Sequence, residues 1–243
     1  MVNFRPMKNY MFFLTNKLIK KYNIKGPFLD AGGGKGDVSL FLLRKGFTGK
    51  LIDFSKEAIN KSKINIKKYK DKIKIEQKSI TNERGKYNFI LLWDVIEHIK
   101  DDDKVIESCY KNLNKDGYLL LSYATKKKEW RKDDNLYGHL RRYEIKGIKK
   151  QLSKFEILEI WDFTFPVFWL MRRLYVNFIK DIKEKDKIKL TKYSSIELKY
   201  FKFLNKYLAS KLIWMPLWYL CYIFKNYNLG HQSLVLVKKI RKT

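Results

Sequence analysis

The sequence predicts an α/β protein built on a doubly wound, mostly parallel sheet of seven strands. From about residue 26 to 162, short apolar runs alternate with stretches of helical pattern, which is typical of parallel strands joined by helices on both faces of a sheet. The run 89–92 is continuously apolar, as expected for a central strand that is buried on both sides. A final apolar run at 233–240 supplies the seventh predicted strand.

The other predicted elements follow from the spacing of apolar residues. Tyr10, Phe13 and Leu14 begin a three- and four-residue repeat in a basic segment, which predicts a helix from residue 1 to about 24 that ends at a Gly-Pro pair. The remaining predicted helices cover 38–45, 56–69, 103–113 and 144–152, and the strands before the last cover 28–30, 51–53, 73–75, 89–92, 118–121 and 155–158.

The composition changes after about residue 163. Residues 161–227 hold 18 of the 38 aromatic residues, and residues 166–226 carry 13 basic against 4 acidic side chains. This pattern predicts aromatic helices inserted before the last strand. The predicted domains are an N-terminal helix at 1–25, a core at 26–162, a helical cap or insertion at 163–230 and the final strand of the core at 231–243.

The charge of the chain suggests an anionic partner. The 243 residues carry a formal net charge of +28, from 53 Lys and Arg against 25 Asp and Glu, which favours nucleic acid, a lipid head group or a phosphorylated substrate. However, 44 of the basic residues are Lys and only 9 are Arg, whereas phosphate and base recognition favour Arg. Compositional bias with a gain in solubility is therefore the alternative, and nucleic acid is the less expected partner.

The cysteine and hydropathy patterns predict a cytoplasmic protein. The two cysteines exclude a disulfide-rich scaffold and a Cys-rich zinc site, and they suit a reducing compartment. No apolar run approaches the roughly 20 residues needed to span a bilayer, and the first residues lack a signal-peptide cleavage pattern. Peripheral contact with a membrane stays open on these grounds.

A glycine-rich turn follows the first predicted strand. Asp30 ends that strand, and Gly32, Gly34 and Gly36 follow at alternate positions. Glycine permits positive φ and lets a ligand lie against the backbone. A phosphate-binding P-loop is excluded because the Gly-Lys pair is followed by glycine rather than Ser or Thr, and no register of the glycines gives the dinucleotide-binding G-x-G-x-x-G pattern. What remains is an acidic residue followed by G-x-G-x-G, or a plain loop.

The acidic G-x-G-x-G pattern resembles the first motif of class I S-adenosylmethionine-dependent methyltransferases. The resemblance implies a Rossmann-like fold and S-adenosylmethionine as the cofactor. It also implies that Gly32, Gly34 and Gly36 pass under the methionine part of the cofactor and that Asp30 faces its amino group.

The second predicted strand also ends in an acidic residue. A strand end beside the glycine turn can place the Asp53 carboxylate against two vicinal ribose hydroxyls, and a turn residue is the alternative. The family has an acidic residue at this place, so the resemblance assigns the ribose to Asp53, and Phe54 is expected to cover one adenine face. Ser79 stands where the family commonly has an acidic residue, so Ser79 or the backbone around Ile80 is expected to contact the adenine.

Residues 87–124 resemble the small-molecule branch of this family called type 11 or ubiquinone-biosynthesis-like. Trp93 and Asp94 end the fourth predicted strand, and the resemblance places both beside the cofactor. Glu97 and His98 follow in the next loop, as in that branch. The resemblance therefore implies a small-molecule acceptor.

Methyl transfer to an oxygen of high pKa needs a general base. His98 is the first candidate because an unperturbed histidine titrates near ~6.5, and a structural hydrogen bond in the loop is the alternative. His139 is the second candidate for the base. Glu97 is expected to orient the loop or the acceptor, and no metal ligands are predicted.

A segment after the fifth predicted strand resembles a substrate-side segment of the same branch. Arg141 and Arg142 are two of only nine arginines and are followed by Tyr143. Arginine favours bidentate recognition of a carboxylate or phosphate, so all three residues are predicted to contact the substrate. The alternative is a solvated helix entry with Tyr143 in the core.

Two apolar segments of the insertion, 163–180 and 212–224, each contain Pro and Trp and are flanked by basic residues. They predict either a helical cap over the acceptor site or a cap that also contacts an anionic membrane surface. Either arrangement suits a large, greasy or lipid-linked acceptor.

The sequence favours a methyltransferase that acts on a small-molecule or lipid-like acceptor at oxygen. An RNA methyltransferase is the first alternative, although the chain lacks an Asn-Pro-Pro-Tyr motif after the fourth strand and a Pro-Cys motif. A non-catalytic, membrane-associated interaction module is the second alternative.

Overall fold

The computed structural model describes residues 5–178 and 211–240, and seven strands of this part form one sheet. The strands are β1 (Phe28–Ala31), β2 (Gly49–Asp53), β3 (Ile73–Gln77), β4 (Tyr87–Trp93), β5 (Leu113–Ala124), β6 (Phe155–Asp162) and β7 (Gln232–Lys239). Their order is β3-β2-β1-β4-β5-β7-β6. The first five strands in this order pair in parallel, and β7 runs antiparallel to both of its neighbours. The predicted α/β fold with a mostly parallel sheet is confirmed.

Helices cover both faces of the sheet. The α-helices of the described residues are α1 (Pro6–Lys21), α2 (Asp37–Leu43), α3 (Lys56–Ile66), α4 (Asp102–Asn112), α5 (Lys132–Tyr137), α6 (Ile145–Gln151), α7 (Val167–Phe178) and α8 (Lys211–Ile223). Short 3₁₀ turns lie at Lys67–Lys72, Ile80–Asn82, Ile96–His98 and Lys127–Glu129. The sequence pattern did not predict α5, which is short and polar.

Strand β4 shows why the sheet has two cores. Successive side chains of a strand point to opposite faces. Phe89 and Leu91 therefore join the core beneath α1, α2, α3, α7 and α8, while Ile90 and Leu92 join the core beneath α4 and α6. All four side chains are completely buried. The prediction of a central strand buried on both sides is confirmed.

The aromatic helices after β6 pack on the N-terminal helix. The ring of Tyr10 in α1 lies 5.8 Å from that of Phe168 in α7 and 6.1 Å from that of Trp218 in α8. Phe168 also stacks on Trp214 at 5.9 Å. The two predicted apolar segments therefore contact each other and α1 on one face of the sheet.

Part of the predicted insertion, residues 179–210, lies outside the described residues, and the predicted domain boundaries stay predictions. No helix within 5–178 or 211–240 is long and apolar enough to cross a bilayer.

The parallel pairing brings several strand ends to one edge of the sheet. Asp30 in β1 pairs with Leu51 in β2, so β2 ends two residues further on at Asp53. Trp93 at the end of β4 pairs with Ser122 in β5. The residues that follow these strands therefore share one crevice, which is where open α/β sheets bind ligands.

The stacking around Tyr10 makes a stability prediction. Tyr10→Ala is expected to lower the free energy of unfolding by about 3–5 kcal/mol, because a fully buried ring is lost from the core. Tyr10→Phe is the matched control and is expected to change it by less than about 1 kcal/mol, since the buried hydroxyl has no hydrogen-bond partner among the described residues. Urea unfolding measures both changes, and equal losses in the two variants would contradict this packing.

Candidate active site

The glycine turn between β1 and α2 is open on one side only. Gly32, Gly34 and Gly36 all have positive φ, of 73°, 53° and 80°. A Cβ atom at Gly36 would lie 2.5 Å from Cδ1 of Ile66, whereas nothing lies within 4 Å of a Cβ atom at Gly34. The turn is therefore packed against α3 at Gly36, and its backbone faces free space at Gly34.

Asp30 holds this turn from beneath. Its Oδ2 accepts hydrogen bonds from the backbone N–H of Ser39 at 3.0 Å and from the Ser39 hydroxyl at 2.7 Å. The side chain is buried, and burial raises the pKa of Asp30 to about 6. Asp30 thus ties the end of β1 to the first turn of α2, and its predicted contact with the cofactor stays a prediction.

Asp53 holds the same turn from the side. Its Oδ2 accepts from the N–H of Gly34 at 2.9 Å, and its Oδ1 accepts from the N–H of Ser55 at 2.8 Å. A carboxylate has about four acceptor positions, so two remain for further donors such as ribose hydroxyls. The neighbouring Phe54 ring is 81% exposed. Ser55 also caps α3 through a bond from the N–H of Ala58 to its hydroxyl at 3.2 Å, as its place before the helix indicates.

Ser79 and Ile80 begin a 3₁₀ turn after β3. The Ser79 hydroxyl accepts from the N–H of Thr81 at 3.3 Å, so it caps this turn. The carbonyl of Ile80 accepts from the hydroxyl of Ser108 in α4 at 2.7 Å, and the Ile80 side chain is buried. Gln77 donates to the carbonyl of Phe54 at 3.0 Å, which links this turn to the exposed aromatic ring.

Asp94 follows β4 with a left-handed backbone. Its φ is 52°, a region that Asp tolerates better than most residues and that is found at functional sites. Its N–H donates to the Ser122 hydroxyl, and that hydroxyl donates back to Oδ1 of Asp94, both at 2.9 Å. The Trp93 ring turns towards α1, 5.4 Å from the ring of Phe12. The turn therefore presents Asp94 to the crevice.

Glu97 is a buried acid beside this turn. It is completely buried, and neither carboxylate oxygen has a hydrogen-bond partner among the described residues. Burial, and after it the charge of Asp94, raises the pKa of Glu97 to about 8. Glu97 is therefore mostly a neutral acid at pH 7, and in this state its O–H can donate a hydrogen bond.

The two predicted bases lie side by side. The ring centroids of His98 and His139 are 4.8 Å apart in an edge-to-face arrangement. Nδ1 of His98 lies 3.2 Å from the carbonyl of Gly138, and Nδ1 of His139 lies 2.7 Å from Oδ1 of Asp134. Because a carbonyl and a carboxylate only accept, each Nδ1 carries a proton, and in the neutral form of either ring Nε2 has a free lone pair. Desolvation, and after it His139, lowers the pKa of His98.

Asp134 was not predicted, and it is the centre of a charge cluster. Oδ1 also accepts from Nη2 of Arg142 at 2.7 Å, and Oδ2 accepts from Nη2 of Arg172 at 2.8 Å. Burial alone would raise the pKa of Asp134, but the hydrogen bonds from His139 and Arg142 hold it well below its usual range. The only sequence signal for this role was an acid five residues before a histidine.

The three residues of the predicted substrate segment have different surroundings. Arg141 pairs with Asp102 at 2.8 Å and keeps 36% of its side chain exposed. Arg142 is buried and, besides Asp134, donates to the backbone carbonyl of His231 at 2.9 Å. Tyr143 is buried and donates to Asp102 at 2.7 Å. The segment is thus anchored to α4, and the predicted substrate contacts stay predictions.

Two cations, Arg5 just before α1 and Lys8 in its first turn, lie beside the glycine turn and were not predicted. Arg5 and Lys8 both pair with Asp37, the first residue of α2, and the Arg5 nitrogen is 3.3 Å from the carboxylate. The sequence showed only a basic helix there. Within residues 5–178 and 211–240, no group of three or more His, Cys, Asp or Glu side chains is arranged to hold a metal ion.

These residues fit an adenosyl ligand with an amino-acid tail. The free space over Gly34 leaves room for a ligand against the backbone. Asp53 has acceptor positions left for a ribose, and the exposed Phe54 ring offers a flat apolar face for adenine. The three features adjoin each other at the ends of β1 and β2.

A protein-family model described as a methyltransferase domain matches residues 5–157. The chain belongs to this methyltransferase family. The ubiquinone biosynthesis O-methyltransferase of Pelagibacter ubique (strain HTCC1062) is 28% identical to it over 137 residues, which cover 51% of this chain and 57% of the relative. The chain therefore matches little more than half the length of that curated relative.

Solved methyltransferase structures share the fold. The N-methyltransferase NodS from Bradyrhizobium japonicum WM9, in complex with S-adenosylhomocysteine, gives a TM-score of 0.59 at 11% identity over 98% of this chain and 89% of that chain. The magnesium protoporphyrin IX methyltransferase from Synechocystis PCC 6803 with bound S-adenosylhomocysteine gives 0.55 at 20% identity over 65% and 77%. The Rossmann-like fold, the class I methyltransferase family and S-adenosylmethionine as cofactor are confirmed.

The buried acid of this methyltransferase makes a pH prediction. The pKa of Glu97 is about 8 in the folded state against an ordinary value of 4.5, so between these pH values the folded protein holds a proton that the unfolded chain has lost. Its contribution to stability is therefore complete below pH 4.5 and falls by up to about 1.4 kcal/mol per pH unit as pH rises towards 8.

Glu97→Gln removes this titration. Urea unfolding of both proteins at pH 5 and pH 8 measures this effect. The free energy of unfolding of the variant, relative to that of the wild type, is expected to be higher at pH 8 than at pH 5. A difference between the two proteins that is the same at both pH values would contradict a buried neutral acid.

Proposed function

We propose that the protein transfers a methyl group from S-adenosylmethionine to a hydroxyl oxygen of a small, apolar or lipid-linked acceptor in the cytoplasm. The observation that carries this proposal is the pair of histidines beside Asp94, one of them bonded to a buried carboxylate. A base oriented by an acid is what an oxygen acceptor needs. The relative in Pelagibacter ubique, whose name specifies an O-methyltransferase, supports the same atom.

The cofactor end of the site would be held by the residues around the glycine turn. When bound, S-adenosylmethionine supplies an electrophilic methyl group on a sulfonium. Asp53 would accept from the ribose hydroxyls, Phe54 would cover the adenine, and the backbone at Gly34 would lie against the ligand. Arg5 and Lys8 are close enough to the turn to add positive charge near a carboxylate tail. Positioning of this kind is a major source of rate in a displacement reaction.

His139 is the base that this geometry favours. Its Nδ1–H donates to Asp134, which leaves the Nε2 lone pair to take the proton of an acceptor hydroxyl. His98 is the second candidate, since its Nδ1 also donates to an acceptor and its Nε2 makes no part of that contact. Glu97 would donate a hydrogen bond that orients the acceptor, because it is buried as a neutral acid near Asp94. Arg141 keeps an exposed part and would contact a polar group of the acceptor.

Transfer of a labelled methyl group tests this function. The protein is incubated with methyl-labelled S-adenosylmethionine and with metabolite, lipid and RNA extracts of a strain that lacks the gene. We expect the label to enter a small molecule that lacks one methyl group in this strain, and is therefore 14 daltons lighter than its counterpart in the wild-type strain. Label in RNA would instead support the nucleic-acid alternative, and no transfer to any extract would contradict the enzyme.

Substitution of each histidine tests which one is the general base. His139→Gln is expected to lower the transfer rate by about 10²–10⁴-fold, the usual contribution of a general base, and His98→Gln by less. Leu140→Ala, at a neighbouring exposed residue, is the matched control and should retain the rate. A full rate in His139→Gln together with a large loss in His98→Gln would move the base to His98.

We further propose that α8 contacts an anionic membrane surface, which would give access to a lipid-linked acceptor. One face of α8 is buried through Trp214 and Trp218, while Leu212 and Ile223 on the opposite face are 79% and 66% exposed. Helix positions 212 to 223 contain no charged residue. An exposed apolar face of this kind marks an interaction surface rather than ordinary solvent contact.

Cations border this face of α8. The ammonium groups of Lys17 and Lys225 lie over the ring of Tyr222, at 4.8 Å and 4.4 Å from its centroid. An aromatic ring at the border with lysines around it suits the head-group region of a membrane with negative lipids.

Vesicle co-sedimentation tests the membrane contact. The protein is expected to bind vesicles that contain an anionic phospholipid, and the double variant Leu212→Asp/Ile223→Asp to bind at least about tenfold more weakly, since two charges would enter an apolar region. Ile64→Asp, at a 75% exposed position of α3, is the control. Equal binding of both variants would contradict the surface, and binding without any methyl transfer would support a non-catalytic membrane module.

A further inference from the structure

Arg172 connects helix α7 to the candidate base. Its Nε and Nη2 pair with the two oxygens of Asp133 at 2.6 Å and 2.7 Å, and its Nη1 donates to the carbonyl of Glu129 at 3.0 Å. Its Nη2 also pairs with Asp134 at 2.8 Å. Only 10% of the Arg172 side chain and 6% or less of either carboxylate is exposed. A planar guanidinium with its donors engaged in this way fixes α7 against α5.

Asp134 is shared between Arg172 and the histidine. Its Oδ1 faces Nδ1 of His139 and Nη2 of Arg142, both at 2.7 Å. Its Oδ2 accepts from Arg172 and from the N–H of Arg131 at 2.7 Å. The carboxylate that orients His139 is therefore held in place from the other side by a residue of α7.

The charges around His139 oppose each other. Asp134 alone would favour the imidazolium, because an opposite charge within about 4–6 Å stabilises the charged form. The two guanidiniums on the same carboxylate offset that charge. The other titratable or charged groups that face this part of the site are His98 and Tyr137 against the ring, Asp133 beside Arg172, Asp94 and Glu97 on the side of His98, and His231 next to Arg142.

We propose that Arg172 is a positioning residue for the methyl-transfer reaction: it holds Asp134 against Nδ1 of His139 and offsets the charge of that carboxylate, so that Nε2 of His139 binds a proton less readily than it would without Arg172. The inference deepens the proposed role of His139 as base and rests on it. It gives the segment after β6 a part in the chemistry in addition to its packing on α1. When the charge of Arg172 is lost, the negative charge of Asp134 is less compensated. The carboxylate then stabilises the imidazolium form of His139 more strongly.

The proton titration of His139 tests this inference without any acceptor. The chain has only three histidines, so the imidazole NMR signals can be assigned with the single variants His98→Gln and His139→Gln. In Arg172→Gln the titration midpoint of His139 is expected to rise by about one pH unit. Arg173→Gln is the matched control on the same helix, since Arg173 pairs with Glu129 at 3.1 Å instead. In this control the titration midpoint of His139 should stay within about 0.2 pH units of the wild-type value.

A second pair of variants covers a failure to fold, because Arg172→Gln leaves the Asp133 carboxylate without its paired cation. Asp133→Asn removes that charge, and Asp133→Asn/Arg172→Gln is compared with it. The midpoint of His139 is again expected to be higher in the variant that lacks Arg172. If both members of a pair are folded and the midpoint of His139 is the same with and without Arg172, the inference is overturned.

The pH profile of methyl transfer separates the two proposals. If His139 is the base, the acidic limb of the rate in Arg172→Gln moves to higher pH together with the NMR midpoint. If the midpoint moves and the acidic limb does not, Arg172 acts on His139 as inferred and the base is another group.

Discussion

The open backbone of the glycine turn is the constraint on which the cofactor side of the site depends. Two carboxylates from neighbouring strand ends fix it: Asp30 binds Ser39 beneath the turn, and Asp53 binds the N–H of Gly34 at its side. Gly36 cannot carry a side chain because Ile66 occupies that space. The turn is therefore held rigidly while its Gly34 edge stays free, which is the arrangement that a ligand lying along the backbone requires.

The acceptor side obeys a second constraint, the rule that buried charges need partners. Asp134 satisfies it with two arginines, a histidine and a backbone N–H. Glu97 satisfies it differently: burial and the nearby charge of Asp94 keep it neutral. One acid is thus kept charged and another kept protonated within a single crevice. This difference in environment is how the same kind of side chain can orient a base and donate a hydrogen bond.

The sequence predicted what depends on local pattern. Periodicity predicted seven strands and five of the eight described α-helices, and the aromatic composition predicted helices where α7 and α8 lie. Motif spacing placed Asp30, the three glycines and Asp53 at adjoining strand ends, and the family is confirmed by the match at 5–157. The sequence did not predict the pairing of Arg172 with Asp133 and Asp134, because these residues are 39 and 38 positions apart in the sequence and only the packing of α7 on α5 brings them together. Nor did it distinguish the buried Arg142 from the partly exposed Arg141, since their neighbours come from different elements.

Isothermal titration of S-adenosylhomocysteine tests directly whether the turn that Asp53 holds is the cofactor site. The wild type is expected to bind, and Asp53→Ala is expected to bind at least about tenfold more weakly, because a hydrogen bond to a charged group is worth about 1.5–3 kcal/mol. Asp71→Ala, at an exposed acid after α3, should bind as the wild type does. A wild-type protein that does not bind, or an Asp53→Ala variant that is folded and binds equally well, would contradict the account.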